Sequence, residues 1–262
     1  MQRALVAGII IALICPLIGN FLVLKKYSMV GDTLSHSAFA GVSIGLLLGA
    51  NAVMAAVIFT VLCSLFLEKL RGFYKQYEEM TMAIMLTLSV GIAITIISVA
   101  NLNANIQSFL FGSIITVSDS DVYIMIALGI LILLIISIFY NKLLFITFDE
   151  EGAKLSGINT KTINYIFAIL TGITVAVTIR ITGMLVISSI LVLPVASSMQ
   201  ISRSFKTSVI FSILFGMADV IIGLIMSYIL NCAPGGAIAL ASVFFMLLAI
   251  AINKMFKITE RN

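Results

Sequence analysis

The sequence predicts an all-α protein, a polytopic transmembrane helical bundle of about eight or nine spans that forms one transmembrane domain over residues 1–262. Three observations carry this expectation. The chain is 61% hydrophobic and 10% charged, whereas a soluble domain carries about 25% charged residues. Its apolar runs have the length of about 20 residues that a roughly 30 Å hydrocarbon layer demands of a helix. Its charges fall between those runs. Spans of this number use up the chain and leave no segment for a soluble catalytic domain.

The apolar segments lie at 4–24, 34–50, 52–68, 81–100, 122–141, 162–179, 183–201, 207–230 and 236–253. The first follows Arg3 as a signal peptide would, but it stays apolar to Leu24 and is long enough to span. Ile14 precedes Cys15, where a lipoprotein cleavage site wants a small residue, so a retained helix is expected. In the second segment Gly41, Gly45 and Gly49 recur at four-residue spacing and predict a face that another helix approaches closely. Segment 102–121 has no Lys or Arg, and Ser108 to Gly112 within it has the look of a re-entrant turn. Pro194 interrupts segment 183–201 and frees a carbonyl, which favours a kinked helix inside the bundle over one facing lipid.

Orientation follows from the basic residues. With a cytoplasmic C-terminus and one crossing per segment, the inside receives 13 of the 15 Lys and Arg residues and the outside only Arg3 and Arg180. That asymmetry is the positive-inside pattern. It places the N-terminus outside for an odd number of spans, with inner loops near 69–80, 142–161 and 202–207. The net charge of +4 is scattered, with no Lys/Arg-rich run, so nucleic acid is not an expected partner and membrane lipid is. Cys15, Cys63 and Cys232 are far apart, form no CxxC pair and read as small apolar fillers. The 13 methionines form no ordered ladder and read as packing residues.

Ionisable groups at membrane depth are costly, so each asks for a reason. His36, the one histidine, follows Asp32 by four residues. On a helix the two share a face, and a carboxylate oxygen with an imidazole nitrogen can chelate a divalent ion such as Zn²⁺. Two protein ligands make an incomplete site, which suits a path that must release its ion. The competing reading makes Asp32 the N-cap of segment 34–50 and His36 a polar contact between helices. Asp219 is the one carboxylate deep in a long apolar run; it can face a polar pathway, bond across helices, or pair with Arg180. Around the charged interruption 145–161, Asp149, Glu150 and Glu151 suit a helix start and Gly157 a helix end. Such a helix at the cytoplasmic face is a docking element or an ordinary solvated loop, and Ala153 within it offers a small surface to a partner.

Absences narrow the chemistry. There is no GxxxxGK[ST] phosphate loop, so ATP would be bound elsewhere. One histidine excludes HExxH hydrolysis, and the sequences of presenilin-like aspartyl proteases are missing. No enzymatic activity of the chain itself and no stably bound cofactor are expected.

Several blocks in order resemble the ABC-3 family of metal importer permeases: Phe21 to Lys26 with Gly31 to Val42, Ser108 to Ser113, Phe148 to Gly157, Gly183 to Ala196, and Ser227 to Gly236. The resemblance covers nearly the whole chain. It implies a type II ABC importer-like fold and a homodimer. It also implies a cytoplasmic ATP-binding subunit that hydrolyses ATP, and an extracellular or periplasmic metal-binding protein. Asp32 and His36 match the family's Asp-x-x-x-His pair, and the Phe-Asp-Glu-Glu block, with Ala153 and Gly157, matches its ATPase-coupling region. The block Ser35-His36-Ser37-Ala38-Phe39-Ala40-Gly41 is similar to the zinc branch; manganese members place proline where Ala40 stands. A bacterial cytoplasmic-membrane importer of Zn²⁺ is therefore expected. A manganese or iron permease of the same family, an ATP-independent carrier or channel, and an assembly protein without transport are the alternatives.

Overall fold

A computed structural model describes residues 2–74, 77–100, 106–113 and 118–259. Lys75 and Arg261 of the basic set, and residues 102–105 and 114–117 of the outer segment, lie outside the described residues. Those described are helical with no strand: α1 (Gln2–Leu24), α2 (Val30–Leu47), α3 (Ala52–Phe73), α4 (Glu78–Ala100), α5 (Ile106–Phe111), α6 (Asp119–Phe148), α7 (Glu150–Leu155), α8 (Thr160–Thr182), a 3₁₀ turn at Met184–Val186, α9 (Ile187–Ile201), α10 (Phe205–Leu230) and α11 (Pro234–Thr259). Eight of the described helices are long and apolar enough to cross a membrane. The ninth long one, α2, has 18 residues but carries Asp32 and His36 and is mostly buried among its neighbours. This explains why the sequence supports both eight and nine.

α1 and α10 pack along much of their length. Gly216 of α10 lies against Ala12 and Pro16 of α1, and Gly8 of α1 against Val220 and Leu224. Asn20, near the other end of α1, donates to Ser212 Oγ at 2.6 Å and accepts from Ser208 Oγ at 3.0 Å, so the pair is antiparallel. Gly41 and Gly45 of α2 rest on Ala52, Ala55 and Ala56 of α3, where a Cβ would collide with backbone. The expected small-residue face exists there. Gly49 does not belong to it: it lies past the helix end with φ +64° and open space where a Cβ would stand. The third glycine of the repeat ends the helix, because a residue in the left-handed region closes it without steric cost.

A run of buried threonines finds its partners locally. The buried hydroxyls of Thr171, Thr174, Thr178 and Thr182 on α8 each donate to the carbonyl four residues back, at 2.7–3.2 Å. This satisfies a hydroxyl in an apolar medium without a second helix. Pro194 lies buried inside α9, as expected of a proline helix in the interior.

The two ends of the bundle differ. At the end read as outer, α5 is a six-residue helix whose following Gly112 (φ +76°) packs on the last carbonyls of α8. Residues 108–112 thus form a helical turn and its stop. At the end read as inner lie the α1–α2 loop, the end of α3, α7 and the start of α8.

Candidate functional site

α2 starts at Val30 with Met29 at the N-cap position, and no side chain caps it. Asp32 is therefore inside the first turn, and the N-cap reading of Asp32 does not hold. Its Oδ1 instead accepts from Ser188 Oγ of α9 at 3.4 Å. The carboxylate remains in a favourable position, because the first turn of a helix attracts negative charge. His36 is one turn further along, about 6 Å away by helix geometry. Both side chains are half-buried, whereas Gly31, Thr33, Leu34, Ser35 and Ser37 between and beside them are buried. The rest of α2 is held by α3 on its glycine side and by α4 through Ser37 Oγ and Ser89 Oγ, 2.7 Å apart. The pair thus occupies the one stretch of early α2 that its neighbours leave partly open. Among the described residues no group of three or more His, Cys, Asp or Glu side chains is placed to hold a metal.

Asp219 is not brought to this pair. It lies on α10, 1% exposed, and neither carboxylate oxygen has a hydrogen-bond partner at normal geometry. Ser242 of α11 stands beside it, but that hydroxyl already donates to the Ile238 carbonyl at 3.0 Å. Arg180 is not its partner. Arg180 pairs with Asp121, which also accepts from Ser118 Oγ at 2.6 Å and Ser118 N–H at 2.9 Å. This ion pair ties the capped start of α6 to the last turn of α8. Sequence reading missed Asp121 because the two residues are 59 positions apart, and no local pattern links them.

The 148–158 segment forms the expected short helix, one residue displaced at its start. Asp149 is the N-cap of α7, its Oδ1 accepting from Gly152 N–H at 2.8 Å, with Glu150 and Glu151 in the first turn. Gly157 follows with φ +81°. Ala153 points the other way from the expectation: it is fully buried in the chain's own core. The surface offered outward belongs to Leu155, 90% exposed, beside Glu151 and Lys154. An apolar residue so exposed on a short helix is the signal that the sequence pattern alone did not give.

A family model described as the ABC 3 transport family matches residues 1–253. A probable metal transport system membrane protein of Treponema pallidum is 42% identical over 97% of this chain and 96% of its own length. The manganese import permease ScaB of Streptococcus gordonii is 31% identical over 96% and 91%. The zinc uptake membrane protein ZnuB of Haemophilus influenzae is 32% identical over 94% and 95%. The solved structure of PsaBC from Streptococcus pneumoniae in complex with Fab superposes with a TM-score of 0.85 at 28% identity, covering 95% of this chain and 90% of that one. With eight membrane-length apolar helices among the described residues and a family match over residues 1–253, the chain is a multi-pass integral protein of the cell membrane and belongs to the ABC 3 transport family.

Proposed function

We propose that the chain is the metal-conducting permease subunit of an ATP-driven importer, and that its substrate is Zn²⁺. The observation that carries this reading is the Asp32–His36 pair, half-open on a helix otherwise buried from Val30 to Ser43. One imidazole and one carboxylate bind a borderline ion well enough to admit it, and two protein ligands hold it loosely enough to let it go. The permease works as a homodimer with a cytoplasmic ATP-binding subunit and an extracytoplasmic metal-binding protein. α7 meets the ATPase through Glu150, Glu151 and Leu155, while Asp149, Ala153 and Gly157 hold its shape. Names among the relatives support metal import, and the zinc relative supports zinc. A second reading, Mn²⁺, is favoured by the comparably similar manganese relative.

Asp219 is a second candidate for the polar pathway, as a carboxylate without a donor at membrane depth. The test is uptake in proteoliposomes holding the permease with its ATPase and binding protein, with Zn²⁺ and Mn²⁺ offered separately. ATP-dependent Zn²⁺ entry that Asp32→Ala and His36→Ala abolish supports the reading. Preference for Mn²⁺ moves the substrate to the second reading, and entry without the ATPase replaces the importer with a carrier. Loss of uptake in Asp219→Asn at normal abundance keeps Asp219 in the pathway; normal uptake makes it a helix contact only.

A further inference from the structure

The loop between α1 and α2 is held from two sides. Lys25 Nζ donates to Asn164 Oδ1 of α8 at 2.9 Å and lies 5.1 Å from the centre of the Phe167 ring. Two residues on, the Tyr27 ring carries the Arg71 guanidinium of α3, 3.1 Å above its centre, and Arg71 also bonds Glu68 at 3.2 Å. Glu68 of α3 and Glu150 of α7 both attract the Lys25 ammonium, and Arg71 repels it. A lysine at a helix C-terminus suits the macrodipole anywhere on a surface. That does not account for one half-buried against an amide and an aromatic ring of α8, in the field of carboxylates on α3 and α7.

α7 and this loop are joined through aromatic packing. Phe148, the last residue of α6 before α7, lies 6.2 Å from Phe205. Phe205 lies 5.2 Å from Phe21, and Phe21 lies 5.9 Å from Phe167. Lys25 N–H donates to the Phe21 carbonyl at 3.0 Å, which closes the path. On the other side, Val30 N–H donates to the Tyr27 carbonyl at 3.0 Å, and α2 with Asp32 begins there without a break. Phe148 is exposed and so free to follow α7, while Phe21 is fully buried, and a close-packed ring passes a displacement to its neighbours. The ammonium also has a choice of partners. It bonds a neutral amide while Glu150, on the helix offered to the ATPase, attracts it from further off. Glu150 is held by Lys154 at 2.9 Å on α7, so movement of α7 would carry that carboxylate with it and change the balance between the partners of Lys25.

We propose that Lys25 is the positioning residue through which movement of α7 reaches the helix bearing Asp32 and His36. This rests on the permease reading above. The experiment reconstitutes permease, ATPase and binding protein in liposomes and measures Zn²⁺ and Mn²⁺ uptake together with ATP hydrolysis. Lys25→Met is expected to assemble with the ATPase and hydrolyse ATP, yet import about tenfold less metal per ATP, the size of a typical coupling term. Lys25→Arg restores most of the ratio, since a cation and donor return. Asn164→Leu, which leaves Lys25 itself intact, lowers it as well, and Lys25→Met/Asn164→Leu is no worse than Lys25→Met. An unchanged ratio in Lys25→Met and in Asn164→Leu, with an active wild type, overturns the relay alone. A wild type that imports neither metal with ATP overturns the permease reading and the relay with it.

Discussion

Asp32 and His36 are neighbours on one helix face, and each is expected to be needed. If the proposed site holds the metal, removing either side chain should lower uptake by about a hundredfold or more, since even outer partners of metal ligands cost 10- to 100-fold. His36→Cys keeps a ligand for Zn²⁺ and should retain part of the uptake, whereas His36→Gln should not. Growth under chelation with protein abundance measured in parallel checks this. Full uptake in Asp32→Ala/His36→Ala would remove the pair from the metal path. Lys25 gives a second residue-scale prediction. Burial first, and then Arg71, push its amine down from 10.5 to about 8, against the opposing pull of Glu68 and Glu150. The folded value lies below the unfolded one, so between pH 8 and 10.5 the unfolded chain binds more protons. The stabilising contribution is present in full above pH 10.5 and is lost as pH falls through 8. Melting temperature in detergent should therefore rise more steeply with pH across this window in wild type than in Lys25→Met. Parallel curves would mean that Lys25 titrates as an exposed lysine.

At the scale of the element, α7 separates two roles that its sequence merges. Ala153 is a core residue, and Leu155 is the exposed one. Ala153→Arg should cost several kcal/mol by burying an unpaired charge and should lower the amount of folded protein. Leu155→Asp should leave folding unchanged and weaken ATPase association by about tenfold, as loss of an apolar contact anchor does. Gly157→Val should cost about 1–2 kcal/mol because φ +81° is hostile to a β-branched residue, although open space surrounds it. Pull-down of the ATPase, set against melting temperature, distinguishes the three; a stable Ala153→Arg that fails only in association would reverse the assignment. The contrast shows what was legible. Periodicity and composition marked every long helix, because lipid demands a long apolar run whatever surrounds it. The acidic start and glycine stop of α7 were equally local signals. Which side of a six-residue helix faces inward depends on α6 and α8, so Ala153 read as a partner surface. The same limit concealed the Asp121–Arg180 pair and the role of Ser188 beside Asp32.

The whole molecule carries its orientation in its charges and in one thiol. The positive-inside pattern puts the α1–α2 loop, the α3 end and α7 on the cytoplasmic side. The packing agrees that these belong together, since Lys25 bonds Asn164 near the start of α8, Tyr27 carries Arg71 at the end of α3, and Phe148 beside α7 reaches Phe21 through Phe205. The opposite end holds the Asp121–Arg180 pair and the junction of Gly112, Gly183 and Gly235 with the end of α8. Cys232, in the short connection from α10 to α11, also lies at that opposite end and is exposed, while Cys15 and Cys63 are buried. The native chain therefore contains its own topological reporter. A membrane-impermeant maleimide added to intact cells should label the wild type at a single thiol, and Cys232→Ser should abolish the label. Placing the reporter on α7 instead, in Cys232→Ser/Lys154→Cys, should give labelling only after the membrane is permeabilised. Arg180 does not disturb this expectation: a paired arginine in the last turn of α8 is a weak topological signal beside 13 basic residues assigned to the other side. Labelling of position 154 from outside, with Cys232 silent until permeabilisation, would invert the molecule. It would also carry α7 away from any cytoplasmic ATPase, and the coupling assignment would fall with the topology.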